Sequence, residues 1–286
     1  MLRTALTRLL AVLLLTLAAV PAWAGDGSAI LKYAPNESKL LLTVNLAGLR
    51  TTPSYQTALN GVSRTPKFRE AIRNLGNLDL ATVDTVVISN TDLNENDPQL
   101  LIVLEGRFQR AAIEAEVKKN TKVTQETVNN VPLFVAGDRE AAGFAADNII
   151  VLGAKNVVAA AITAGNGGAR DAGRFTPGIR AQLQSVDKSQ EVWFVATIPA
   201  RVAARNARAS GVKSVRGSLD IANALNSQLQ RAVASPEMTA MGLQSVFQQV
   251  RVAASGADVS LTMALDGRTW MGLLQTTTAI LAEELH

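Results

Sequence analysis

Five basic residues carry the clearest chemical pattern in the sequence. Arg201, Arg205 and Arg208 fall at i, i+4 and i+7, which puts them on one face of a helix, and Lys213 and Arg216 follow on what reads as the next strand. From Val192 to Leu219 these five bases stand without an acid. From Asn74 to Gly106 there are six acids (Asp79, Asp84, Asp92, Glu95, Asp97 and Glu105) and no base. A forked guanidinium matches phosphate and carboxylate geometry. The pattern therefore points to an anion-binding patch for an anionic lipid headgroup, a wall polymer or an acidic envelope protein. A solvated helix face accounts for the same spacing, and so does pairing of the basic run with the acidic one, within the fold or across a dimer.

Other chemistries find less support. The single histidine is the last residue, His286, and there is no cysteine. A Ser-His-Asp triad, a Cys-His pair and a His- or Cys-built zinc site are thereby excluded. Ser185-Val186-Asp187-Lys188 has the S-x-x-K spacing of a Ser-Lys hydrolase, but it falls at the end of an expected helix, where polar residues belong anyway. Asp92, Asn94, Asn96 and Asp97 open like a calcium loop, yet position six is Asp97 instead of glycine and position twelve is Val103. Hairpin-turn chemistry explains them. A pair of carboxylates acting as acid and base leaves no local signature, so a carboxylate-dependent hydrolase stays open as an alternative. No catalytic residue, cofactor or metal ligand is assigned.

The amino terminus sets the expected compartment. Arg3 and Arg8 precede an apolar run from Leu9 to Val20, Pro21 ends it, and Ala22-Trp23-Ala24 precedes Gly25. These are the three parts of a cleavable secretory signal over residues 1–24, with the cut between Ala24 and Gly25. The run of about 12 residues is shorter than the ~20 that span a bilayer. The expectation is a periplasmic or secreted protein with no transmembrane span in the mature chain.

Removing 24 of 286 residues leaves 262, and Lys+Arg falls from 28 to 26 against 24 acids. So balanced a charge argues against nucleic acid as a partner. A chain of this size buries enough surface to fold without disulfides. With 48% hydrophobic and only 4% aromatic residues, its core must come from Val, Leu, Ile and Ala.

Several elements are legible. Thr52-Pro53, Thr65-Pro66, Thr176-Pro177 and Ser235-Pro236 each place a hydroxyl before a proline, a helix-start signal. Val83 to Ser89 and Gln99 to Glu105 read as a hairpin across a polar loop. Phe108 to Lys119 reads as a helix. Val131 to Ala136, Gly143 to Ala146 and Ile149 to Leu152 read as strands, and Asn156 to Ile162 as a helix. Gly165 to Gly173 holds four glycines in nine residues after a helix and fits no phosphate-loop spacing, which makes it a flexible linker.

The two sides of that linker look alike. Lys39 to Leu46 resembles Glu191 to Ile198, and Pro98 to Val117 lies without gaps over Ser227 to Val246. Leu225, Leu229 and Val233, spaced by four, alone suggest a helix. The repeat instead makes Ser227 to Ala234 the second strand of a hairpin with Lys213 to Ile221. The expected fold is α+β: two similar modules, each an antiparallel sheet with helices packed on one face, at 25–164 and 177–286, joined by the linker at 165–176.

The order of the LLLTVNL strand, the LEGRF junction (Leu104 to Phe108), the IIVLGAKNVVAAAI segment (Ile149 to Ile162) and the EVWFVATIP strand resembles a group of uncharacterised exported bacterial proteins with duplicated sheet-and-helix modules. The resemblance implies export and the modular fold, and it transfers no activity and no functional residue. The functional expectation is an exported, non-catalytic envelope binding protein, with an envelope assembly factor and the hydrolase as alternatives.

Overall fold

The computed structural model describes residues 28–50, 55–56, 76–92, 99–137, 139–166, 175–200, 203–204, 217–235, 239, 244–267 and 269–270. Strands β1 (Leu40–Asn45), β2 (Val83–Asn90) and β3 (Leu100–Gly106) come first, then β4 (Val123–Val128), β5 (Val131–Ala136), β6 (Glu140–Ala146) and β7 (Ile149–Ala154). The second half supplies β8 (Val192–Pro199), β9 (Arg251–Ser255) and β10 (Asp258–Leu265). The described helices are α1 (Ser28–Leu31), α2 (Leu46–Leu49), α3 (Arg110–Lys118), α4 (Lys155–Asn166), α5 (Pro177–Ser185), α6 (Ser218–Val233) and α7 (Gln244–Gln248).

The fold is α+β, and every strand pair is antiparallel. Two features differ from expectation. All ten strands join one sheet in the order β4-β5-β6-β7-β3-β2-β1-β8-β10-β9. The like strands Lys39–Leu46 and Glu191–Ile198 pair with each other as the seventh and eighth strands of that order, where Leu42 pairs with Phe194. Helices also cover both faces instead of one. Leu41, Val87, Val103, Val151 and Trp193 point to the face covered by α4 and α5. Leu42, Val44, Ile88 and Ile102 point to the other, where α2 and α7 contribute Leu46, Leu49 and Val246. Double coverage explains why β1, β2 and β3 read as near-continuous apolar runs without alternation.

A second correction concerns residues 218–233. They form the 16-residue helix α6, so Ser227 to Ala234 is not a strand, and no hairpin with Lys213 to Ile221 exists. Helical spacing of Ile221, Leu225 and Leu229 outweighed the weak repeat, because one apolar stripe lets this segment pack on β9 and β10. The strand order does not repeat either. β1, β2 and β3 are spatial neighbours in chain order, whereas β10 lies between β8 and β9.

Turns follow familiar chemistry. Asn129 and Asn130 join β4 to β5 at φ 49° and 62°, the double positive φ of a tight hairpin turn. The β9–β10 turn holds Gly256 at φ 60°. Within the expected linker, Gly165 and Asn166 belong to α4, and a Cβ on Gly165 would lie 2.0 Å from the Tyr33 ring, so this glycine allows a close helix–ring approach. Phe175 is buried, and 167–174 lie outside the described residues. Among the described residues no helix is long and apolar enough to cross a membrane.

Candidate functional site

An apolar cavity of about 660 Å³ lies between the sheet and the α6–α7 layer. Sheet register builds its floor. One row of paired positions runs Leu100, Asn90, Leu40, Ala196, Leu261, Val252 across β3, β2, β1, β8, β10 and β9. The next row runs Ile88, Leu42, Phe194, Met263. Directly paired residues share a face, so both rows point into the same layer, and all but Ala196 line the cavity.

Helix α6 forms the opposite wall. Leu225, Gln228 and Leu229 face the cavity, while Ile221 and Ala222 anchor the helix against Val259. Asn226 Nδ2 donates to the Val252 carbonyl at 2.8 Å, which ties α6 to edge strand β9. Phe247 of α7, Val250 and Trp270 complete the lining. Leu40, Leu100, Phe194, Leu261 and Met263 are only half-buried, because part of each side chain faces this space. Among the described lining residues Asn90 and Gln228 are the polar side chains, and none is charged. Asn90 Oδ1 accepts from the Asp92 amide at 3.0 Å, which holds the end of β2 in its turn.

The described titratable groups with ion pairs or shifted pKa values lie elsewhere. Arg50 Nη1 meets Asp84 Oδ1 at 2.7 Å, Arg107 Nε stands 3.6 Å from Asp84 Oδ2, and Arg50 also donates to the Val83 carbonyl. Burial pushes the Tyr55 phenol up against the opposing influence of Arg50. Burial also raises Glu105, opposed by a hydrogen bond from Thr85 and aided by repulsion from Asp84. These groups sit toward Asn45, the end of β1 opposite Leu40, so they belong to the fold and not to the cavity.

None of the described lining residues is a candidate site residue singled out in the sequence. Arg201, Arg205, Arg208, Lys213 and Arg216 lie outside the described residues, as do Ala24, Gly25 and His286. Ser185 ends α5 on the exposed surface with its hydroxyl donating to the Gln182 carbonyl at 3.0 Å. Asp187 accepts from the Ser189 hydroxyl and amide and from Gln190, which lowers its pKa, so this tetrapeptide is a turn. Asp92 belongs to the turn after β2, and 93–98 are not described. The cavity residues went unread because α6 was assigned to a strand. The i, i+4, i+8 spacing of Ile221, Leu225 and Leu229 is the signal that finds that wall.

No family model matches the sequence, and no curated protein matches it either. Among solved structures the chain is similar to TP0453 in three crystal forms. Form I gives a TM-score of 0.41 at 7% identity over 87% of this chain and 96% of that one. Form III gives 0.45 at 7% over 86% and 97%, and form IV gives 0.43 at 6% over 88% and 96%. At TM-scores below 0.5 this likeness decides neither family nor function.

Proposed function

We propose that the protein is an exported, non-catalytic binding protein that shelters the apolar part of a small ligand between its sheet and α6. One observation carries this reading: a cavity of about 660 Å³ walled by Leu, Ile, Val, Phe, Met and Trp side chains. Its size falls inside the roughly 300–1,000 Å³ of small-molecule sites. Left to water, these walls forgo the hydrophobic gain that a ligand restores, about 25 cal/mol per Å² covered. A converging pair of carboxylates would favour the hydrolase reading, whereas the described lining offers two amides.

The test is titration of the purified protein with a neutral fluorescent probe, N-phenyl-1-naphthylamine. Saturable one-to-one binding is expected, and Leu229→Trp, which fills the space from the helix side, should weaken it at least tenfold. A natively folded protein that shows no saturable binding overturns the proposal. The anion-binding reading of the basic run is tested separately. Arg201→Glu, Arg205→Glu and Arg208→Glu together should abolish binding to anionic vesicles, and unchanged binding dismisses the patch.

A further inference from the structure

We infer that the chain carries its own competitor for the cavity: the carboxy-terminal segment 271–286 occupies the space when no ligand is bound and gives way when one binds. This rests on the cavity being a ligand site, as proposed above, and adds how that site is regulated. The path of the chain supplies the first argument. Strand β10 ends at Leu265, which pairs with Val192 one row beyond the Phe194–Met263 row of the cavity floor. There Glu191 Oε2 accepts from the Gly267 amide at 2.9 Å. Asp266 caps the turn that follows. Its Oδ1 accepts from the Thr269 amide at 2.9 Å and its Oδ2 from the Thr269 hydroxyl at 2.8 Å. The Trp270 amide donates to the Asp266 carbonyl at 3.1 Å. These bonds turn the chain off the end of the sheet and back onto the cavity face. Trp270 is buried in the same layer as Leu42 and Val246, and it lines the cavity. Segment 271–286 therefore begins inside the site for which it competes.

Reach and composition supply the second argument. Sixteen residues follow Trp270, from Met271 to His286. The cavity floor runs from Leu100 on β3 to Val252 on β9, across five inter-strand steps. At about 4.8 Å a step, that is about 24 Å. Sixteen residues at ~1.5 Å each cover about 24 Å even when wound as a helix, and more when extended. Leu273 and Leu274 come three and four residues after Trp270, and Ile280 and Leu281 come seven residues after those. That spacing gives a helix one apolar stripe. Laid on the Leu, Ile, Val, Phe and Met side chains of the lining, the stripe removes two apolar surfaces from water at once. Tethering does the rest. A segment joined directly to its site works at a millimolar local concentration. With an intrinsic dissociation constant of about 0.1 mM it holds the site some nine-tenths of the time, which weakens an outside ligand about tenfold.

The experiment compares full-length wild type with two full-length variants, Leu273→Asp/Leu274→Asp and Ile280→Asp/Leu281→Asp, by titration with N-phenyl-1-naphthylamine. Each variant should bind the probe at least fivefold more tightly than wild type, at the same stoichiometry. Unchanged affinity overturns the inference, and weaker binding overturns it too, because the segment would then be part of the wall that holds the ligand. A second measurement needs no variant. Hydrogen exchange across 271–286 in the wild-type protein, read by mass spectrometry, should speed up when the probe saturates the cavity. Unchanged exchange there overturns the inference. Slower exchange also overturns it, since the segment would be closing over the ligand instead of leaving. Wild-type probe affinity that weakens as protein concentration rises would make a second copy the occupant, against the inference. Failure of the probe to bind wild type and both variants would sink the underlying reading, a distinct result.

Discussion

Leu41 and Leu42 are neighbours on β1 that point to opposite faces, and truncating each separates a closed core from an open one. Leu41 is 0% exposed within the layer under α4 and α5, whereas Leu42 is 6% exposed and lines the cavity. Leucine to alanine removes three carbons, worth about 2.4 kcal/mol of transfer free energy at ~0.8 kcal/mol each. At position 41 the packed layer cannot follow. A residual void of about 60 Å³ at ~24 cal/mol per Å³ adds about 1.4 kcal/mol, so Leu41→Ala should cost about 4 kcal/mol. At position 42 the lost carbons open onto existing space, no new closed void forms, and the cost should stay near 2.4 kcal/mol. For a chain of this size the difference corresponds to roughly 3–6 °C in Tm. The binding effects run the other way. Leu42→Ala removes ligand contacts worth at most about 2.4 kcal/mol, so probe affinity should fall by up to roughly sixty-fold. Leu41→Ala should leave it within about twofold. Urea titration and probe titration of the two variants decide the matter. Equal destabilisation with unchanged probe affinity in both would mean that Leu42 faces a filled core, and the cavity argument would fail.

Two further outcomes follow from the fold. Burial raises the pKa of Glu105, so between the ordinary carboxylate range and the raised native value the folded chain holds a proton that the unfolded chain has released; stability falls as pH climbs through that window. Glu105→Gln should therefore raise Tm at neutral pH, with the gain vanishing in acid where both states are protonated, and a gain independent of pH in melts across that range would refute the assignment. Gly153 has φ +149° and a Cβ there would lie 2.1 Å from the Leu100 carbonyl oxygen, so Gly153→Ala should cost about 3 kcal/mol or more, and an unchanged urea midpoint would show that β3 and β7 are not in this register.

Strand content on the amino-terminal side was legible because double burial leaves a strong signal. Val131 to Ala136 agrees residue for residue with β5, and the expected strands at Val83, Gln99 and Ile149 lie within two residues of β2, β3 and β7 at each end. β4 escaped notice because Thr124, Gln125, Glu126 and Thr127 are exposed on a sheet edge and carry no apolar alternation. β9 escaped for the same reason, with Arg251, Ala253 and Ala254 exposed. The error at Ser227 to Ala234 had a different source. A long-range pattern match overrode a local period, although a helix needs its stripe to reach the sheet whatever the other half does. The cavity was illegible for a related reason. It exists where residues far apart in sequence fail to fill the space between two layers, and no local pattern records a gap.

One strand has a consequence for how each copy of the chain matures. β1 lies between β2, its neighbour along the chain, and β8, which ends only at Pro199. While a nascent polypeptide emerges amino end first, one rim of β1 therefore stays bare until some two-thirds of the chain has followed. Such a greasy, unpaired rim invites strangers of the same kind. A copy halted near the glycine-rich stretch at 167–174 would present this rim permanently, so truncated products should clump where whole molecules stay dispersed.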